Sequence, residues 1–162
     1  MDRVADGGVE WRDWITPMLE EFGCVVYNPC KKPFILNENT IEDIKSRRLR
    51  SELKKAGKYQ EVREIMREVR NSDLRMVDYS DFIIVHLDTD VHACGTYEEI
   101  AVAGRSKKPV LVICKQGVSN IPDWLFAQIE PEMFFATFYD VLAYLKKIDD
   151  IDIPPKRWYF YS

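Results

Sequence analysis

The chain has 162 residues, enough for one domain with a substantial core, and its apolar fraction of 46% and charged fraction of 31% are those of a globular protein. Its apolar runs are far shorter than the roughly 20 residues that cross a bilayer, so a membrane protein is not expected. The net charge of −4 argues against binding of polymeric nucleic acid, although local cations could still hold one nucleotide phosphate. The four cysteines lack zinc-site spacing and no signal segment opens the chain. We therefore expect one cytoplasmic domain over residues 1–162, without a metal or a cofactor.

The first part of the chain predicts helices and one short strand from its apolar spacing. In chain order these are a helix over residues 9–22, a strand over 24–27, two charged helices over 40–71 divided at Gly57, and a short capped helix over 72–77. In the second part of the chain, predicted strands and helices alternate more regularly. It predicts a strand over 82–87, a polar loop over 88–96, a helix over 97–105, a strand over 110–114, a helix over 121–129, a strand over 133–138 and a helix over 139–148.

Strands that alternate with helices predict an α/β fold with a parallel sheet and right-handed crossovers. Ligands of such sheets bind beyond the carboxyl ends of the strands, so the loop over residues 88–96 is where chemistry is expected. Gly95 would let the backbone turn tightly or approach a ligand, and Thr96 is a plausible helix N-cap. Glu98 and Glu99 then follow in the first helical turn, where the helix dipole favours carboxylates. The two acids point about 100° apart, and spacing alone does not decide which one faces the cleft.

An ordered set of residues around this loop resembles the nucleoside 2-deoxyribosyltransferase superfamily. The set comprises Asp73 and Asp81 ahead of an apolar strand, Asp90 after that strand, Gly95-Thr96-x-x-Glu99, and Lys108-Pro109 ahead of the next strand. The resemblance extends from about Trp11 to the end of the last predicted helix. It implies a Rossmann- or flavodoxin-like three-layer sandwich with a parallel sheet of about five strands.

The resemblance implies a role for each matching residue. Glu99 would be the nucleophile that attacks the anomeric carbon of the sugar, and Asp73 would give a proton to the departing base. Asp90 would hold the sugar hydroxyls, with Asp88 as a second candidate for the same task, and Gly95 and Thr96 would line the substrate site. A carboxylate close to C1′ can trap an oxocarbenium-like sugar covalently, so these residue types fit the chemistry. Asp73 also has a structural interpretation, because it follows Ser72 at a predicted helix start and could cap that helix.

Further candidates each have a structural alternative. His92 lies in the loop and could contact ligand. Trp124 could stack on a base or simply belong to the core. The basic run around Arg47–Arg50 is either a solvated helix face or a phosphate contact, and Arg3 or Arg12 could also hold a phosphate. His86 is expected to be a packed histidine within its strand.

The resemblance departs from this sequence at the beginning of the chain. Members of the family begin with a central strand, whereas residues 1–8 read as the loop that follows such a strand. The aromatic run Trp158–Tyr161 is the obvious spare strand that could fill the gap. The resemblance implies transfer of the sugar between a nucleoside and a free nucleobase in a homo-oligomer. The alternatives are hydrolysis of a deoxynucleoside 5′-monophosphate and non-catalytic nucleotide binding.

Overall fold

A computed structural model describes residues 8–31 and 44–149, with side chains from residue 47 onward in the second range. Within these ranges the structure has five α-helices and three β-strands. They are α1 (Val9–Glu21), α2 (Ile44–Lys55), α3 (Tyr59–Tyr79), β1 (Ile83–Leu87), α4 (Cys94–Arg105), β2 (Val110–Cys114), β3 (Phe134–Phe135) and α5 (Phe138–Asp149), with short 3₁₀ turns at Val118–Asn120, Asp123–Ala127 and Pro131–Met133. The predicted start of the second helix at residues 40–43, the opening residues 1–7 and the aromatic run 158–161 lie outside the described residues.

The three strands form one parallel sheet in the order β1-β2-β3. Its register pairs Ile83 with Val110 and Leu87 with Cys114, and all five residues of β2 are buried. A central strand of a parallel sheet is covered on both faces, which explains the uninterrupted apolar run over 110–114. The α/β class and the parallel sheet are confirmed. The described residues contain three strands rather than five, an arrangement compatible with a Rossmann- or flavodoxin-like fold.

Two apolar clusters cover the two faces of the sheet. One joins Val85 and Leu87 of β1 to Ile100 of α4 and Val77 of α3. The other joins the opposite face of the sheet to α1 and α5, and its buried members are Ile15, Leu19, Leu111, Ile113, Phe135, Val141 and Leu145. Because successive strand residues point to opposite faces, the short strands supply both clusters. None of the helices in the described ranges has the length and apolar character needed to cross a membrane.

The strand predicted at Cys24–Tyr27 is wrong. Residues 24–28 have no regular secondary structure, and none of the described strands pairs with them. A β-rich sequence becomes a strand only when a second backbone lies alongside to accept its hydrogen bonds. Here a cavity separates this segment from β1.

The separate helix predicted over residues 72–77 is also wrong, because α3 continues without a break from Tyr59 to Tyr79. Val69, Asp73, Met76 and Val77 are its buried positions, and their spacing of three and four residues extends one buried stripe along the helix. Ser72 is therefore not a helix cap. The predicted division near Gly57 is confirmed, and Gly57 has the positive φ of 72° that suits glycine.

The helix after the polar loop begins three residues earlier than predicted. α4 starts at Cys94, and the amide of Tyr97 donates to the carbonyl of Ala93 (3.1 Å). Ala93, Ile100 and Ala103 are buried along one helical face, and burying that face draws Cys94 to Thr96 into the first turn. Thr96 is thus within the helix and is not its N-cap. Glu98 and Glu99 lie one turn in, so the dipole argument made for them does not apply.

Between β2 and α5, the sequence predicted a helix and then a strand. The strand is present but shorter than predicted, and the helix prediction is wrong. Residues 121–129 contain the 3₁₀ turn Asp123–Ala127 instead of an α-helix, and the predicted strand is reduced to Phe134–Phe135. Pro122 and Pro131 restrict the backbone on either side. Helix α5 begins where Thr137 and Asp140 cap each other, since the amide of Thr137 donates to Asp140 Oδ2 (2.9 Å) and the amide of Asp140 to Thr137 Oγ1 (3.2 Å).

The Lys108-Pro109 pair has a structural role in this fold. Lys108 Nζ donates to the carbonyl of Val77 (2.8 Å) and to that of Asp78, so it caps the carboxyl end of α3. The carbonyl of Pro109 accepts from the amide of Ile83 (2.9 Å) and begins the β1–β2 ladder. This pair therefore ties α3 to the sheet.

Candidate functional site

An ion pair between α3 and α4 distinguishes the two adjacent glutamates. Arg70 Nε lies 2.9 Å from Glu98 Oε1 and 2.8 Å from Oε2, and Nη2 also contacts Oε1. The hydrogen bonds and the positive charge of Arg70 lower the pKa of the Glu98 carboxyl. Glu98 therefore forms an ion pair that joins α3 to α4.

Glu99 has different surroundings, although it is half-buried like Glu98. It contributes to the walls of two cavities, a main cavity of about 550 Å³ and a smaller cavity of about 230 Å³. The main cavity lies within the size range of small-molecule sites. Of the two acids that spacing left unresolved, Glu99 is the one at a cleft.

Asp73 contributes to the main cavity together with Glu99. Its side chain is buried with 9% of the residue exposed, in the middle of α3. A carboxyl in the interior of a helix does not cap that helix, so the structural alternative for Asp73 is excluded. Asp73 follows Arg70 by three residues on α3. Arg70 contacts Glu98 on the exposed side, and Asp73 lines the main cavity.

The two loop acids, Asp88 and Asp90, belong to one hydrogen-bonded network at the carboxyl ends of β1 and β2. Lys115 Nζ donates to Asp88 Oδ2 (2.7 Å), and Gln116 Nε2 donates to Asp88 Oδ1 (2.6 Å) and to Asp90 Oδ2 (3.0 Å). The amide of Thr89 donates to Gln116 Oε1 (3.1 Å), which sets the amide orientation of Gln116. The network holds both acids in defined positions.

The same contacts set the ionisation of Asp88. Hydrogen bonds from Lys115 and then from Gln116 lower the pKa of Asp88 to about 2, and the bond to Asp88 raises the pKa of Lys115. Asp88 lines the smaller cavity with Glu99 and Thr96. The site therefore presents a permanent anion beside the position predicted for the sugar.

The structure puts three other predicted substrate-site residues in different surroundings, namely His92, Gly95 and Thr96. Thr96 is half-buried and lines the smaller cavity, and its substrate role stays a prediction. Gly95 lies in the first turn of α4, and a Cβ added there would meet no atom within 4 Å, so the tight-turn role is wrong and close approach by a ligand stays a prediction. His92 is exposed in the loop and lines neither cavity.

Trp124 and the basic run of α2 lie away from both cavities. Trp124 is 82% exposed in the 3₁₀ turn, so its interpretation as a core residue is wrong, and stacking on a base stays a prediction. Arg48 pairs with Glu52 on the surface and Arg50 is buried, and the cluster lines neither of the two cavities. His86 is half-buried, packs against Trp11 and Phe138 at ring-centre distances of 5.8 and 5.3 Å, and lines the smaller cavity.

Sequence reasoning missed three residues that shape the site, Lys115, Gln116 and Trp11. Lys115 and Gln116 directly follow β2, and because parallel strands end at one edge, their position beside Asp88 could have been inferred. Trp11 and Arg12 of α1 contribute to the walls of both cavities, with the Arg12 guanidinium 4.4 Å above the Trp11 ring. The apolar spacing around Trp11 indicated only a packed helix, whereas Arg12 was already a candidate phosphate contact from the sequence.

Comparison with protein-family models, with curated proteins and with solved structures finds no match for this chain. Among residues 8–31 and 44–149, no group of three or more histidine, cysteine, aspartate or glutamate side chains is arranged to hold a metal ion.

Proposed function

We propose that this protein cleaves the N-glycosidic bond of a nucleoside and transfers the sugar through a covalent intermediate on Glu99, in the manner of a nucleoside 2-deoxyribosyltransferase. The observation on which the proposal rests is the position of Glu99, which lines both cavities, one with Asp73 and the other with Asp88 and Thr96. The fold would then be the five-stranded sandwich that the resemblance implies.

In this mechanism the carboxylate of Glu99 attacks C1′ while the bond from C1′ to the base nitrogen breaks. The electron pair of that bond leaves with the base, and Asp73 supplies the proton that neutralises it. Asp88, which lines the smaller cavity and is held by Lys115 and Gln116, accepts hydrogen bonds from the sugar hydroxyls, and the exposed Asp90, held by Gln116, would be a further acceptor. A second base, or water, then attacks C1′ and releases Glu99.

One observation favours hydrolysis of a nucleoside 5′-monophosphate as a second candidate function. Arg12 lines both cavities, and Lys115 lines the smaller one with Glu99. A guanidinium is well suited to a phosphate, because its fork matches two phosphate oxygens. With water as acceptor, the same nucleophile would give the free sugar phosphate.

The direct test incubates the purified protein with a deoxynucleoside and a different free base, and separately with a deoxynucleoside 5′-monophosphate. Chromatography then follows new nucleosides, free bases and sugars. We expect a new nucleoside, which identifies the transferase. Release of deoxyribose 5-phosphate identifies the hydrolase.

A ligand-induced rise in melting temperature with no turnover of any of these substrates would contradict both enzymatic proposals and identify a binding module. The free nucleobase is the second substrate in the proposed reaction, and a homo-oligomer in the cytoplasm is the proposed setting. Light scattering of the purified protein tests the oligomer.

A further inference from the structure

Charge is distributed unevenly over this chain, and helix α2 is its most basic element. α2 contains six lysine and arginine residues and one glutamate, whereas the whole chain has a net charge of −4. The net charge is an average, and it does not show that one helix is strongly basic while the rest of the chain is acidic. Net charge alone therefore does not exclude a polyanionic partner for α2.

Four cations of α2 surround Ser51 on one side of the helix. Arg47, Arg48, Lys54 and Lys55 are the residues three and four positions before and after Ser51, and such positions are neighbours on a helical surface. Arg47 is half-buried, and the other four side chains are exposed. We call these five residues the basic face of α2.

The apolar positions of α2 lie on the other side of the helix. Leu49 and Leu53 are each about 160° around the helix from Ser51. Helices that bind a membrane surface present leucine, phenylalanine or tryptophan for insertion beside their cations. The basic face has no apolar side chain, so it suits a polyanion better than a lipid bilayer.

α2 and the first half of α3 form a hairpin that extends past the carboxyl edge of the sheet. Lys108 ties the end of α3 to the edge where the strands begin, whereas Arg70 contacts Glu98 near the start of α4, after β1 has ended. The eleven residues of α3 ahead of Arg70 extend about 16 Å beyond this contact. Three residues join α2 to α3, and the two helices pack against each other. The basic face is therefore carried on a hairpin at the side of the sheet where the loop acids lie.

We propose that the basic face of α2 binds the phosphate backbone of a nucleic-acid strand. Lysine and arginine side chains neutralise phosphates and release the counterions condensed on the strand, which favours binding without any contact to the bases. Arg48 donates to Glu52 (3.1 Å) on the surface, and an exposed pair of this kind contributes too little to compete with a phosphate. The basic face lines neither of the two cavities, so strand binding does not require the proposed cleavage reaction.

The cations at the end of α2 also have a purely structural explanation, which a matched control can separate. Lys54 and Lys55 lie in the last turn, where the helix dipole favours positive charge. Lys146 and Lys147 hold the same position in α5 and are exposed as well. The double variants K54E/K55E and K146E/K147E therefore change the net charge and the helix end equally, and only the first alters the basic face.

Fluorescence anisotropy of the full chain with a labelled single-stranded oligodeoxythymidylate tests the proposal. We expect the logarithm of the association constant to fall with the logarithm of the salt concentration with a slope of about −2 to −3, which corresponds to three or four phosphates. K54E/K55E should weaken binding by at least about tenfold, and K146E/K147E should keep the parent affinity within about twofold. Circular dichroism and melting curves check that both variants are folded.

A second variant keeps the test decisive if K54E/K55E does not fold. S51D leaves all four cations in place and adds a negative charge between them, so it should weaken binding by about threefold or more. Unchanged affinity in S51D would overturn the proposal.

Three other results would also overturn it. One is the absence of oligonucleotide binding at low salt, and another is an equal loss in K54E/K55E and K146E/K147E, which would indicate a response to net charge alone. The third is sedimentation with phosphatidylserine vesicles without oligonucleotide binding, which would identify an anionic membrane surface as the partner.

Discussion

The guanidinium of Arg70 holds the carboxylate of Glu98, since its single Nε–H is shared between Oε1 and Oε2, at 2.9 and 2.8 Å, and Nη2 also contacts Oε1. This contact fixes α3 against α4, and it lies one residue from Glu99 and three residues from Asp73. When Glu98 is turned outward to Arg70, the next residue of α4 is rotated by about 100° toward the cavity. The two adjacent acids therefore have different surroundings, Glu98 at Arg70 and Glu99 at the cavities.

Exchanging each glutamate for glutamine separates these roles. E99Q should lower the rate of base exchange by about 10³-fold or more, because it removes the nucleophile, while E98Q should lower it by less than about tenfold. Both variants should keep the circular dichroism of the parent. In E99A, added azide should restore turnover and give a glycosyl azide, which a residue with a packing role would not do. Greater loss in E98Q than in E99Q would contradict the assignment.

Asp73→Asn tests the proton donor. We expect a loss of roughly 10²- to 10⁴-fold with an ordinary nucleoside, the range for a general acid. A nucleoside whose base leaves without protonation should lose far less, so the ratio between the two substrates is the decisive measurement. Equal losses with both substrates would indicate that Asp73 supports the fold of the cavity instead. A melting curve of the variant shows whether the helix tolerates the change.

The network around Asp88 predicts a specific pH dependence. Its pKa is lowered from 3.8 to about 2, so the carboxylate of the folded protein stays ionised well below the pH at which the unfolded chain takes up its proton. The stability from this group is complete above pH 3.8 and is lost as the pH falls through about 2. The variant Q116L removes one donor and should raise the pKa. Carboxyl-carbon NMR measures both titrations, and identical midpoints would contradict the prediction.

Gly95→Ala separates a ligand contact from a structural need for glycine. A Cβ at this position meets no protein atom within 4 Å, and the residue lies in the first turn of α4. Alanine should therefore stabilise the fold by up to about 0.5–1 kcal/mol, as measured by denaturant unfolding. A rise in KM would show that a ligand approaches this exposed backbone, although Gly95 lines neither of the two cavities. An unchanged KM would remove Gly95 from the site.

Several features of the fold were predictable because local spacing determines them. The run Val110–Cys114 is apolar at every position, and only a strand covered on both faces requires that. Asp88 follows an apolar strand at the edge where parallel sheets bind ligands, and it does lie at a cavity there. The break at Gly57 followed from its tolerance of a positive φ.

Other features depended on partners that are distant in the chain. The sequence of residues 24–27 is as β-rich as a strand, but pairing depends on a second backbone, and a cavity lies where that backbone would be. Ser72 and Asp73 resemble a helix start, yet burial of Val69 and Met76 on one stripe keeps α3 continuous through them.

The sequence by itself determined that this protein is an α/β domain with a parallel sheet and an acid-rich loop after a buried strand. Those properties follow from the periodicity of apolar residues and from turn chemistry. Only the tertiary structure showed that Glu98 contacts Arg70 while Glu99 lines the cavities, because Arg70 lies 28 residues away in the chain. A helical period of 3.6 residues relates neighbours within one helix, but it contains no information about which neighbour another helix will bind.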